Sequence, residues 1–135
     1  MKHLPLLVLM MCAALQVGNS LPPSGNAQTP HKESAVVEFN DQVKLLDVFL
    51  RGRYLIVHDH EKMAGGEDCT YVYSLKEGQP DRLVTSFHCT PVARAKAESF
   101  TVRTSRRSTQ GMVPEVLEIQ FAGSSEAHQV PLGRG

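Results

Sequence analysis

The amino-acid sequence predicts a mainly β protein, arranged as an antiparallel meander or as a small complete or incomplete barrel, preceded by one helix. Segments rich in β-branched and aromatic residues follow one another after Gly52, and polar turns separate them. The residues between Cys69 and Cys89 also fit a hairpin closed by a run of turn formers. Short antiparallel strands protect their edges by curling or closing, which favours one of these two arrangements.

The N-terminal residues have the composition of a secretory signal peptide over 1–20. Lys2 gives a basic start, residues 4–15 are almost wholly apolar, and small residues follow at 18–20. A membrane-spanning helix needs about 20 apolar residues, so we expect cleavage and an extracellular chain without membrane insertion. Proline and polar residues then predict a disordered leader over 21–32, followed by a single β-rich domain over 33–135.

One helix is predicted between Glu33 and Leu50. Ser34 is a suitable N-cap, Gly52 a suitable end, and the second half of the segment also fits a strand. The helical interpretation depends on an apolar stripe at the spacing of one helix face. That stripe consists of Val36, Phe39, Val43, Leu46 and Leu50.

Six short strands are predicted after Gly52. The first covers 53–59, and the two strands of the cysteine hairpin follow it. Residues 99–103 and 115–121 continue the β pattern, and 129–132 is a candidate edge strand. This order of elements predicts the meander.

The hairpin is predicted to place Cys69 and Cys89 in register, with its turn centred on Gln79. We expect a cross-strand disulfide there, closing a loop of about 20 residues and contributing about 3 kcal/mol. Two buried free thiols, or pairing to another chain, are the alternatives. The predicted face that carries the cysteines is mostly apolar, with pairs Tyr71–Phe87, Tyr73–Thr85 and Leu75–Leu83.

Charge and motif content exclude several functions. The chain has 14 basic and 14 acidic residues, whereas nucleic-acid binding usually requires a basic excess. No Gly-x-Ser-x-Gly elbow and no phosphate-binding glycine loop occurs. The predicted disulfide would use both cysteines that remain after signal cleavage, which leaves no thiolate nucleophile. We therefore expect neither an enzyme nor a bound cofactor.

The run from His58 to Glu61 is the candidate for metal chemistry. On a strand, His58 and His60 share one face and can bind a zinc or copper ion together, with His88 as a third ligand. Two histidines without an obvious third ligand more often form a solvated strand end. The sequence therefore assigns no metal site, and a pH-sensing role for the pair is the weaker alternative.

The segment from Phe39 to Val72 resembles the opening of tick salivary lipocalins, the histamine-binding-like family. The resemblance lies in Val43–Asp47, in the strand that begins Tyr54-Leu55, in Glu61, and in Gly65-Gly66 before Cys69. It implies a lipocalin-like barrel that sequesters a small hydrophobic, amphipathic or amine ligand, such as a host mediator in saliva. A second stretch, 35–40, resembles the helix of cystatins, which implies a protein-interaction or protease-inhibitor-like module with a host protein as partner.

Within the lipocalin-like interpretation, aromatic side chains are the expected pocket walls. A carboxylate at Asp59 or Glu61 is the expected partner of a cationic ligand near the mouth of the pocket. The alternative is that the apolar hairpin face packs as core without a cavity. The candidate wall residues are Tyr54, Tyr71, Tyr73 and Phe87.

Overall fold

The computed structural model describes residues 32–105 and 111–132, which form two four-stranded antiparallel sheets. The predicted signal peptide at 1–20 and the predicted leader at 21–32, apart from Lys32, lie outside the described residues. The mainly β fold class is confirmed. Within the described ranges the strands form two sheets and not a closed barrel.

The first sheet is a simple meander in the order β1-β2-β3-β4. The second sheet has the order β5-β8-β7-β6, so its first strand pairs with its last. The first sheet contains β1 (Lys32–Leu45), β2 (Val48–Asp59), β3 (Thr70–Lys76) and β4 (Gln79–Phe87). The second contains β5 (Thr90–Ala93), β6 (Thr101–Thr104), β7 (Val116–Gln120) and β8 (Glu126–Gln129).

The predicted helix over 33–50 is wrong, because this segment forms β1, a turn and the start of β2. Alternate residues of β1 face the interior, from Glu33 to the buried Phe39, which is the period of a strand. The 35–40 stretch likened to a cystatin helix lies in the same strand. Gly52 is not a helix end; it sits opposite Phe39 with φ 91°, next to a register shift that bends the pair.

A short helix, α1 (His60–Ala64), follows β2 instead of preceding the sheet. The Asp59 carboxylate caps it by accepting hydrogen bonds from the backbone N–H groups of Glu61 and Lys62, at 3.1 and 3.2 Å. Among the described residues, no helix has the length and apolar character needed to cross a membrane.

The predicted register of the β3–β4 hairpin is also wrong. Tyr71 pairs with Ser86 and Tyr73 with Leu83, and two irregularities shift the pairing along the strands. The turn lies at Glu77 and Gly78, which both have positive φ, as a two-residue type I′ turn requires. The inward face of β3 carries the buried Thr70 and Val72, whereas Tyr71 and Tyr73 lie on the other face and are only half-buried.

Both sheets contribute to one hydrophobic core.

We expect Leu50→Ala to lower the free energy of unfolding by about 2–5 kcal/mol, because Leu50 is fully buried and its truncation leaves a cavity. Leu83→Ala is the matched control, since Leu83 is 47% exposed, and its effect should stay within about 0.5 kcal/mol. Urea unfolding measures both changes, and similar losses would contradict this placement of the core. The core residues include Leu50, Ile56, Val72, Val116, Ile119 and Phe121.

Candidate metal centre

A cluster of potential metal ligands lies in the interior where β2 ends and α1 begins. Its members come from β1, β2, α1, β8 and the residues that follow β4. We call it the histidine–thiol cluster, and it consists of Glu33, His58, His60, Cys89 and His128.

The strand pairing explains how three of these side chains meet. Glu33 is the register partner of His58 in the β1–β2 pair. His58 follows the buried Ile56 on the inward face of β2 and is itself fully buried. The chain turns at Asp59 into α1, which brings the His60 ring edge-on to His58, with the ring centroids 4.5 Å apart.

The second sheet completes the cluster with His128 of β8. His128 is fully buried, and its ring stacks on that of His58, with a centroid distance of 3.8 Å and an interplanar angle of 27°. The Glu33 carboxylate lies 3.0 Å from His60 Nε2 and 3.9 Å from His128 Nε2. A single carboxylate therefore reaches two of the three imidazoles.

The two cysteines lie side by side just beyond the hairpin strands, and both are fully buried. The predicted Cys69–Cys89 disulfide is absent, because the Sγ atoms are 3.2 Å apart whereas a disulfide requires about 2.05 Å. The structure instead holds two buried free thiols, which were the alternative to the disulfide. Cys89 Sγ lies 3.4 Å from His58 Nε2 and 3.8 Å from Met63 Sδ. Cys89 is thus the sulfur that faces the histidines.

Burial keeps three members of the cluster, His58, Cys89 and His128, uncharged near neutral pH. It lowers the pKa of His58 to about 3, with a further contribution from the neighbouring His128 and His60. Burial and His60 lower the pKa of His128 to about 4. Burial, together with the hydrogen bond to Cys69, raises the pKa of the Cys89 thiol to about 12. Neutral imidazoles are ready to bind a metal ion, and a bound cation would deprotonate the thiol.

Several buried polar atoms of the cluster have no hydrogen-bond partner among the described residues. They are His58 Nδ1 and both ring nitrogens of His128. A buried polar atom without a partner costs about 1–3 kcal/mol, so such atoms call for an explanation. A metal ion bound to one ring nitrogen of His128 would provide an explanation for that atom.

The spacing of the donor atoms fits a tetrahedral metal ion. The ligand atoms of His58, Cys89 and His128 all lie within 4.8 Å of one another, and those of Glu33, His58 and His60 form a second such group. Zinc–nitrogen and zinc–sulfur bonds of about 2.0 and 2.3 Å place the two ligand atoms roughly 3.5 Å apart. The separation of 3.4 Å between His58 Nε2 and Cys89 Sγ matches this value.

The structure places the predicted pocket tyrosines on the two faces of the first sheet, with Tyr71 and Tyr73 on one face of β3 and Tyr54, which lies beside Ser74, on the other. The Tyr54 hydroxyl hydrogen-bonds the backbone of Arg51, and the Tyr71 hydroxyl donates to Asp68 O at 2.7 Å and accepts from Lys62 Nζ. Tyr73 is half-buried. The hydroxyl groups of Tyr54 and Tyr71 therefore have hydrogen-bond partners at the protein surface.

The other three predicted pocket residues are also separated. Phe87 is buried in the core, Asp59 caps α1, and Glu61 is exposed on that helix. Two clefts, of about 570 and 240 Å³, are lined by other residues. None of the six candidates therefore lines either of these clefts.

The structure places His88, the possible third ligand in the sequence analysis, outside the histidine–thiol cluster. His88 is exposed, and its Nδ1 lies 2.7 Å from the backbone carbonyl of Glu67. Cys89, His128 and Glu33 lie beside His58 and His60 instead, and the sequence analysis singled out none of the three as a candidate metal ligand. The only sequence signal for them is residue type, because Glu33 and His128 reach the cluster through strand pairing and sheet packing.

Comparisons of this chain with protein-family models, with curated proteins and with solved structures find no match.

Proposed function

We propose that this chain is a secreted, non-catalytic binding protein whose ligand is a thiophilic transition-metal ion of the zinc(II) or copper(I) type. One observation carries the proposal. Donor atoms from His58, Cys89 and His128 converge within 4.8 Å in the core, and ring nitrogens in the same place have no hydrogen-bond partner among the described residues.

The donor types select the class of ion. Imidazole nitrogen and thiolate sulfur suit zinc and copper(I), whereas calcium and magnesium require oxygen ligands. The Met63 thioether, with Sδ 3.8 Å from Cys89 Sγ, adds a further soft donor beside the site. Soft sulfur donors favour copper(I) in particular.

The burial of the ligands supports holding an ion in preference to catalysis. His58, Cys89 and His128 are all fully buried. A catalytic metal site keeps an open coordination position for substrate, whereas structural and storage sites are closed by protein ligands. Glu33 fits the role of an outer carboxylate that orients His60, an arrangement common around metal-bound imidazoles.

A competition titration of the reduced chain with Zn²⁺, against a chromophoric chelator, tests the proposal. We expect one tightly bound ion per chain. Cys89→Ser should weaken binding by at least about 100-fold, since even outer-shell changes weaken metal sites by about 10–100-fold. His88→Gln is the control and should bind as the wild type does, because His88 lies outside the cluster. A wild type without a stoichiometric site, or equal losses in both variants, would contradict the proposal.

A second candidate is the small amphipathic or amine ligand that the sequence analysis predicts. It is favoured by the 240 Å³ cleft, whose lining combines the Glu33 side chain with Phe100 and Phe121. A carboxylate beside aromatic rings suits a small organic cation. An amine that raises the melting temperature of the wild type but not of Phe100→Ala would support this candidate. No shift from any amine or fatty acid tested would contradict it.

A further inference from the structure

We propose that Cys89 has two mutually exclusive partners, a metal ion and Cys69, so that oxidation of the two thiols to a disulfide releases the ion. This inference rests on the proposed metal binding and adds its regulation.

Cys89 Sγ lies close both to the Cys69 sulfur and to His58, a proposed ligand of the metal ion. The Cys69 sulfur lies 3.2 Å away, and His58 Nε2 lies 3.4 Å away. The two sulfurs need to approach by only about 1.2 Å to reach the disulfide distance. The backbone already holds the cysteines close, since the N–H of Cys69 donates to Phe87 O at 3.0 Å and the N–H of Cys89 points to Cys69 Sγ at 3.4 Å.

Both sulfurs are buried, but Cys69 is the one that contacts an exposed side chain. Its Sγ lies 3.9 Å from Nδ1 of the exposed His88, whereas Cys89 Sγ contacts the buried His58 and Met63. We therefore expect Cys69 to react first with an oxidant. Cys89 then resolves the intermediate from inside the cluster.

The step balances with a small-molecule disulfide as the oxidant. Deprotonated Cys69 attacks one sulfur of the oxidant, forms a mixed disulfide and expels one thiolate. Cys89, leaving the metal ion, attacks the Cys69 sulfur, forms the Cys69–Cys89 bond and expels the second thiolate. The protein thiols lose two electrons, the oxidant gains two, and the freed ion departs because a disulfide sulfur is a poor ligand compared with a thiolate.

The oxidised protein keeps only imidazoles as metal ligands. Removal of the thiolate takes away the one anionic sulfur of the set that also contains His58 and His128. We expect the affinity for Zn²⁺ to fall by at least about 100-fold, on the same argument as for loss of a ligand by substitution.

The test loads the reduced full chain with Zn²⁺ and then adds glutathione disulfide in excess. We expect one zinc ion to be released for each protein disulfide formed, with zinc read by a chromophoric chelator and the disulfide by a mass loss of two hydrogens. Cys69→Ser is the matched control: it keeps the ligand sulfur of Cys89 but lacks the disulfide partner, so it should retain its zinc.

Failure of the inference is distinguishable from failure of metal binding itself. If the reduced wild type binds no zinc, the proposed function is wrong. If the reduced wild type binds zinc and the disulfide form binds it equally well, only the competition is wrong. Failure of the disulfide to form in excess oxidant, or equally fast zinc release from Cys69→Ser, would likewise overturn the competition. The comparison of the two wild-type states needs no variant that could fail to fold.

Discussion

Zinc is expected to raise the free energy of unfolding of the reduced chain by about 2.7 kcal/mol when free Zn²⁺ is at 100 times its dissociation constant. The ligand atoms of His58, Cys89 and His128 meet only through the packing of the two sheets, so the unfolded chain offers no comparable site. The gain should increase by about 1.4 kcal/mol for each further tenfold in free zinc. Urea unfolding at several zinc concentrations measures it.

His128→Phe is the control variant for the zinc response. Without metal, we expect it to be at least as stable as the wild type. The two ring nitrogens of His128 are buried without hydrogen-bond partners among the described residues. Replacing them with an apolar ring of similar shape should leave the metal-free stability unchanged or raise it, while removing most of the response to zinc. A zinc response as large in His128→Phe as in the wild type would contradict the role of this residue.

Acidification without metal is expected to destabilise the fold steeply between about pH 6.5 and pH 4. The pKa of His58 is lowered to about 3 and that of His128 to about 4, whereas both are near 6.5 in the unfolded chain. Below pH 6.5 the unfolded state therefore binds more protons than the folded state, and stability falls as pH falls. The slope should reach about 1.4 kcal/mol per pH unit for each histidine.

Urea unfolding between pH 7.5 and pH 5 measures this slope. Carboxyl groups titrate mainly below pH 5, so the upper part of the range isolates the imidazoles. His58→Phe should reduce the slope by about half, and His88→Gln, which alters an exposed ring, should leave it unchanged. A free energy of unfolding that stays flat across this range would show that the two buried rings are not held neutral.

The β-rich character was predictable because β-branched and aromatic residues are concentrated after Gly52. The helix was predicted wrongly because apolar residues occupy both faces of β1 near Val36 and Val37, so the same positions fit either period. The β3–β4 hairpin was predicted correctly, but its predicted register was wrong. Two irregularities in the strands and a turn at Glu77–Gly78 shift pairs that a symmetric hairpin would place opposite one another.

The sequence analysis identified only some residues of the candidate site. The spacing of His58 and His60 made them a candidate metal pair, although the sequence analysis assigned no metal site. The closeness of Cys69 and Cys89 followed from the predicted hairpin. Glu33 and His128 could not be assigned, because one depends on the β1–β2 register and the other on the packing of β8 against the first sheet. Such long-range pairings leave no local pattern.

The most direct test of the metal centre is the absorption spectrum of the reduced chain titrated with Co²⁺, which substitutes for zinc and reports its own ligands. We expect the bands of tetrahedral cobalt with a thiolate-to-metal charge-transfer band, saturating at one equivalent. Cys69→Ser should retain the charge-transfer band and Cys89→Ser should lose it. A spectrum that stays that of hydrated cobalt, or a charge-transfer band that survives in Cys89→Ser, would contradict the proposed site.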